Sequence, residues 1–215
     1  MRQFRKSKKN NNKYTWLIYS LQSDDSENLL GILPGKLLQR FGDSDVFLLS
    51  EADGRELEHE ITQYAWNRLI NYLSLRERSE AECVNYLQGL FLEKSAIQTL
   101  IEKGKQYNYI NDERFAELLV ASYVNRNKSR LEIKNSLYEK KINPQIIERS
   151  LKNNYPEDEG KRVVSYHIEK GIRKYPDRSS YKDYQKCINY LMRKGFAFED
   201  FREELRRYYL TTEEY

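Results

Sequence analysis

The chain lacks most of the features that announce a particular chemistry. Across its 215 residues no apolar run is long enough to span a bilayer and no signal-peptide pattern is present, so a soluble cytoplasmic protein with no membrane partner is expected. Cysteine occurs only twice, at Cys83 and Cys187. A disulfide needs Cα atoms within about 7 Å, and two thiols on helical faces of separate segments read instead as small core side chains kept free in a reducing compartment. Histidine also occurs twice, and neither His59 nor His167 stands at metal-ligand spacing from cysteine or an acid. Glycine-rich phosphate loops and nucleophile elbows are missing. The acidic cluster Asp24, Asp25 and Glu27 falls in a polar turn and reads as a solvated loop. No catalytic site, metal or cofactor is therefore expected.

What the chain does have is repetition. Leu87, Leu137 and Leu191 lie in one frame, offset by 50 and 54 residues. Four residues earlier stand Cys83, Ile133 and Cys187; five residues later stand Leu92, Ile142 and Phe196. The frame continues through Ile97, Ile147 and Phe201 to Ile101, Leu151 and Leu205. Ser79, Ser129 and Asp183 open each copy eight residues before the leucine. A fixed period of this length marks stacked supersecondary units, which build extended surfaces for large partners. The composition agrees, because 39% hydrophobic and 33% charged residues suit helices that bury one stripe each.

The first two copies open on a capping-box pattern, Ser79 with Glu82 and Ser129 with Glu132, in which hydroxyl and carboxylate each satisfy a free backbone N–H. In the third copy Asp183 can cap, but Lys186 breaks the box. Asn143-Pro144 begins the last helix of the middle copy. The first helices carry Ile61, Ala65, Leu69 and Leu73, then Phe115, Ala116, Leu119 and Tyr123, then Val163, Val164 and Ile168 between about Glu157 and Lys174. A longer loop, Tyr175 to Tyr181, accounts for the four extra residues of the third period.

Ahead of the repeats, YTWLIYSL (14–21), Leu29–Leu33 and Val46–Leu49 read as strands, Gly35–Arg40 as a short helix and Ala52–Gly54 as a turn. The fold class is thus mainly α: three tandem three-helix repeats forming an elongated curved array, preceded by a small α+β N-terminal unit. The expected segments are a disordered basic tail (1–13), the α+β domain (14–58), repeats at 59–110, 111–155 and 156–210, and a tail at 211–215.

Charge is uneven along this frame. Residues 1–13 carry six basic and no acidic side chains, whereas 14–60 carry three basic and ten acidic. The middle repeat is the most basic folded stretch, at +3. Such a surface is either a solvated helical face or a groove that meets a polyanion or an acidic protein.

Three runs resemble the RecX family of regulatory proteins. Tyr72-Leu-Ser-Leu-Arg-Glu-Arg-Ser-Glu80 is similar to the start of their first repeat, Tyr109-Ile-Asn-Asp-Glu-Arg-Phe-Ala116 to the junction of the first and second, and Ser129 to Leu137 with Lys140-Lys-Ile142 to the second repeat's middle helix and turn. The resemblance spans about residues 60–210. Departures fall in the turns: Phe91 and Lys141 replace the family's glycine, which only Gly195 keeps, and Asn108 also stands where glycine is usual. Lysine tolerates a left-handed backbone poorly, so the middle turn is the one whose geometry is open.

The resemblance implies a non-enzymatic regulator that binds the RecA–DNA filament and inhibits RecA ATPase, strand exchange and filament growth. The alternative is an independent helical-repeat module that binds single- or double-stranded DNA. A monomer is expected. The contact candidates for RecA or DNA are Arg76 and Arg78 before the first capping box, Arg126, Lys128 and Arg130 around the second, and Lys134, Lys140 and Lys141 beyond it. Arg173 and Lys174 in the third repeat's loop and Arg193 and Lys194 before its turn complete the set. Arginine suits this role through its two-point grip on carboxylate or phosphate, but the same residues can cap neighbouring helices or pair with acids. The eighteen tyrosines, Tyr72, Tyr86, Tyr123 and Tyr190 among them, suit half-exposed seams, with base stacking a lesser role.

Overall fold

The computed structural model describes residues 1–9, 12–23 and 26–209. It divides into two compact units, Met1–Asn111 and Asp112–Tyr215.

The first unit opens with a four-stranded antiparallel sheet in the order β3-β2-β1-β4. Its strands are β1 (Arg2–Lys9), β2 (Asn12–Leu21), β3 (Glu27–Pro34) and β4 (Val46–Leu49), with the one-turn helix α1 (Gly35–Leu38) between the last two. The expectation of a disordered basic tail at 1–13 is wrong. Strand β1 is an interior strand, paired with β2 on one side and β4 on the other. Its inward residues alternate with period two, as a half-buried strand requires, but one of them is a lysine. Phe4 is fully buried beneath Phe47, and Lys6 is also buried. The Lys6 ammonium donates to the carbonyls of Gly42 and Asp43 at 3.0 and 2.7 Å, which makes its burial tolerable. A basic segment whose core position is a satisfied lysine carries no apolar signal.

The expected turn at Ala52–Gly54 is also wrong. Ser50 caps helix α2 (Glu51–Ser74), accepting from the Asp53 N–H, so these residues form its first turn. Gly54 lies inside that helix, where a Cβ would come within 3.3 Å of Arg2 and Phe4 of β1. Helix α2 therefore crosses the boundary expected at 58/59. The sheet and the first three-helix repeat, completed by α3 (Glu80–Gln88) and α4 (Lys94–Gln106), share one core running from Phe4 through Leu57, Ile61 and Leu87 to Ile101.

The second unit holds two further three-helix repeats on one core. Helices α5 (Asp112–Asn125), α6 (Arg130–Glu139) and α7 (Pro144–Asn154) form one; α8 (Glu157–Lys174), α9 (Tyr181–Arg193), a single 3₁₀ turn (Phe198–Asp200) and α10 (Arg202–Tyr209) form the other. The capping boxes at Ser79 and Ser129 are both formed. The third differs: Ser180 rather than Asp183 is the cap, accepting from the Asp183 N–H, so α9 starts three residues before the repeat register, and the Asp183 carboxylate pairs with Lys186 instead.

The repeat's spacing has a structural cause. Leu87, Leu137 and Leu191 are each fully buried, four residues before a backbone with positive φ: Phe91 (62°), Lys141 (58°) and Gly195 (85°). In the second and third repeats, the residue after that point sends its N–H back to the anchor leucine's carbonyl, Ile142 at 3.1 Å and Phe196 at 3.3 Å. This is a Schellman turn, whose apolar residues on either side pack together and so recur five positions apart. The turn geometry is thus kept with lysine in place of glycine. Asn108 (55°) and Asn127 (53°) end α4 and α5 in the same way.

The expected tail at 211–215 and the acidic pair Asp24 and Asp25 lie outside the described residues. Glu27 starts β3 and pairs with Arg5. Neither cysteine forms a disulfide, and both are buried.

Candidate functional site

The loop between the first and second helices of a repeat is where the sequence places matching cations. In the first repeat Arg76 grips the capping-box glutamate, Glu82, through both guanidinium nitrogens at 3.0 and 3.1 Å, and donates to the Glu77 carbonyl at 2.7 Å. That pairing holds the Arg76 pKa above its ordinary value. Arg78 instead lies 4.0 Å over the Tyr72 ring, itself stacked on Tyr86, and its buried Nε has no hydrogen-bond partner among the described residues. In the second repeat the roles are exchanged. Lys128, equivalent to Arg78, takes the box glutamate Glu132 at 3.1 Å, while Arg126, equivalent to Arg76, stays exposed. A loop cation on the box glutamate recurs, then, but from a position two residues along.

Four of the remaining candidates reach a glutamate of another helix or lie on aromatic faces. Arg130 and Lys134 converge on Glu148 of α7, which holds Lys134 above and Glu148 below their ordinary pKa values. Lys194 approaches Glu132 at 3.9 Å, which brings the third repeat's turn beside Lys128. Lys174 lies over Tyr175 and Tyr190. Arg173 pairs one turn back with Glu169, and Arg193 donates to the Asn189 carbonyl at 3.2 Å, so both are held on their own helices. Lys140 caps α6, and Lys141 comes after it, exposed, at the left-handed turn position.

The join between the last two repeats uses residues that sequence reasoning does not single out for this role. His167 is buried, and its Nε2 lies 2.7 Å from the Asn127 carbonyl, which can only accept, so that nitrogen carries the proton. Its Nδ1 then accepts from the Tyr190 hydroxyl at 3.1 Å. Burial pushes the imidazole pKa down, and nearby Lys194 adds to this, so His167 is held neutral. Arg162 clamps the same turn, reaching the Asn127 side chain at 2.8 Å and the Val124 carbonyl at 3.2 Å. The third turn lies directly against the second cap: a Cβ on Gly195 would fall 2.9 Å from Ser129 Oγ. Lone polar residues with no periodicity leave no sequence signal for such a clamp.

A groove of about 730 Å³ runs beside this join, but it is lined by both signs of charge, Arg130 and Lys161 with Glu157, Asp200 and Glu204. Among the described residues no cluster of three or more His, Cys, Asp or Glu could hold a metal ion, and no helix is long and apolar enough to cross a membrane. The arrangement offers a set of cations on helix ends and turns, half of them paired with carboxylates.

Residues 111–151 match the second three-helix domain of RecX, and residues 163–205 match the third. Regulatory protein RecX of Bacillus pumilus is 33% identical over 168 residues, covering 77% of this chain and 64% of the relative, so the chain spans somewhat under two thirds of that protein's length. RecX of Caldanaerobacter subterraneus is 27% identical over 168 residues, covering 74% of this chain and 82% of its own. Among solved structures, a regulatory protein RecX superposes with TM-score 0.65 at 20% identity, over 94% of this chain and 98% of its own, which speaks to the fold alone. RecX from Lactobacillus salivarius superposes with TM-score 0.61 at 26% identity, over 69% and 97%.

Proposed function

Since this chain belongs to the RecX family, we propose that it is a non-enzymatic regulator of the RecA recombinase, one that binds the RecA–DNA filament and inhibits ATP hydrolysis, strand exchange and filament growth. The observation that carries this reading is the run of three three-helix repeats, two of which match RecX domains by sequence, with equivalent anchor leucines and left-handed turns in all three and equivalent capping boxes in the first two. Tandem helical repeats are suited to gripping large partners.

The charge distribution supports the same reading. Exposed ion pairs contribute little to stability, so Arg130 and Lys134 can exchange the surface Glu148 for a carboxylate or phosphate of the filament at little cost, and Lys194 is only loosely held at 3.9 Å from Glu132. Arg126 and Lys141 have no side-chain partner among the described residues and meet an anion without breaking anything. The protein acts as a cytoplasmic monomer, and the filament grips it through these cations.

The test is RecA ATP turnover on single-stranded DNA with and without the purified protein. Turnover should fall as protein is added; unchanged turnover at saturation would refute the proposal. Charge reversal at Arg126, Lys128 and Arg130 should weaken the inhibition. If it abolishes binding to naked DNA while RecA turnover never responded to the wild type, the independent DNA-binding module is the correct account.

A further inference from the structure

The first repeat carries an aromatic cleft that the regulator reading does not use. Helix α4 ends at Tyr107, and Asn108 takes the left-handed conformation. The Tyr109 N–H then returns to the Gly104 carbonyl at 2.8 Å and the Asn108 N–H to Lys105 at 2.9 Å. This turn sends Tyr107 and Tyr109 to the same side, where their rings stack at 5.8 Å. Both face Trp66 of α2, at 6.3 and 6.2 Å, and together they bound a cleft of about 610 Å³.

The two tyrosine rings are not packed away as core. Tyr107 and Tyr109 are 59% and 48% exposed, whereas Trp66 forms the floor at 9%. Lys103 lies with its ammonium 4.4 Å above the Trp66 ring, and among the described residues no acid lines the cleft. Asn67 and Asn71, one helical turn apart on α2, complete the wall, and the Asn71 amide has no partner among the described residues.

We propose that this cleft seats an unpaired base of single-stranded DNA, stacked on Tyr107 and Tyr109, with its phosphate on Lys103 and its edge facing the Asn67 and Asn71 amides. The chemistry selects this occupant. Exposed aromatic faces beside a cation are what single-strand sites use, because every base offers a π-face and every nucleotide a phosphate. A cationic ligand is disfavoured, since Lys103 already occupies the face of the tryptophan. An aliphatic protein segment would leave the ammonium without a counter-charge and the Asn71 amide without a partner, while the Asn67 amide oxygen already accepts from Gln63 at 3.5 Å. Duplex DNA presents an unstacked base only at the cost of unpairing and unstacking it, which a single strand does not have to meet in full. The inference does not rest on the RecA reading and is tested without RecA.

The chain has two tryptophans, so Trp16→Phe leaves Trp66 as the sole indole reporter. Titrating oligo(dT) into that variant should quench Trp66 saturably, and a duplex of equal length should not. Removing both rings (Tyr107→Ala with Tyr109→Ala) should weaken oligo(dT) binding roughly 5- to 150-fold per lost stacking contact. Tyr107→Phe with Tyr109→Phe keeps the rings and should bind as before, which also decides the matter if the alanine pair melts at lower temperature. Lys103→Gln should reduce the slope of log affinity against log salt by about 0.7. Absence of quenching, equal binding of duplex, or oligo(dT) affinity unchanged by the alanine pair would each overturn the proposal. So would a Tyr107→Ala effect confined to self-association, which would make the cleft a contact between copies. RecA inhibition without quenching overturns this inference alone; quenching without RecA inhibition overturns the regulator reading alone.

Discussion

Replacing Lys141 with glycine should stabilise the protein, although it deletes a side chain from a helical repeat. Lys141 has φ 58°, its side chain is exposed, and its ammonium has no partner among the described residues. The left-handed backbone costs a residue with a Cβ about 1–2 kcal/mol, and glycine escapes that cost. Against this, glycine gives the unfolded chain extra freedom worth about 0.4–1 kcal/mol. The mid-values of these two ranges leave a net gain of about 0.8 kcal/mol. For a cooperative unit of about 100 residues, that raises the melting temperature by roughly 2–8 °C. The equivalent position in the next repeat gives the opposite sign. Gly195→Ala keeps φ 85° and sets a Cβ 2.9 Å from Ser129 Oγ and 3.0 Å from Leu131 Cβ, so it should cost more than about 1–2 kcal/mol. Thermal unfolding monitored by far-ultraviolet circular dichroism reads both variants against the wild type. Both tryptophans lie in the other unit, so fluorescence would miss the effect. A Lys141→Gly protein that melts with or below the wild type would refute the strain argument.

Two further outcomes concern buried polar groups. Lys6→Met keeps the aliphatic stem but removes the bonds to the Gly42 and Asp43 carbonyls, and should cost about 1–3 kcal/mol by urea unfolding read from tryptophan emission; a change under about 0.5 kcal/mol would mean β1 does not need that lysine. His167 has its pKa lowered in the folded state by burial, so between that value and the unfolded one the unfolded chain binds the extra proton. Its stabilising contribution is complete above the ordinary imidazole pKa of about 6.5 and is lost as pH falls below it. Unfolding free energy measured across this range should drop toward acid more steeply in the wild type than in His167→Gln, and parallel curves would contradict the assignment.

Much of the helical architecture is legible in the chain because it depends on local rules. The capping boxes at Ser79 and Ser129 need only residues three apart, and helix α8 lies where its periodicity and flanks put it, from Glu157 to Lys174. The five-residue step from Leu137 to Ile142 is the mark of a turn that closes one helix and packs the next segment of chain against it. Each of these is settled within a few residues, so it survives any tertiary arrangement.

Other features were decided at long range. Strand β1 exists because Lys6 finds two carbonyls 36 and 37 residues away, and nothing in Arg2–Lys9 indicates them. Ser180 displaces Asp183 as the cap of α9, against the register of the earlier repeats. Among the candidate cations, fold alone determined that Arg76 and Lys128 hold box glutamates while Arg126 does not. Trp66 and Tyr109 are 43 residues apart, and a left-handed asparagine with two packed helices makes them one cleft. Hydrogen bonds along the nearby chain set caps, turns and period from sequence alone; which charges pair, which lysine is buried and which rings face solvent together require distant segments to meet, and only the folded chain brings them there.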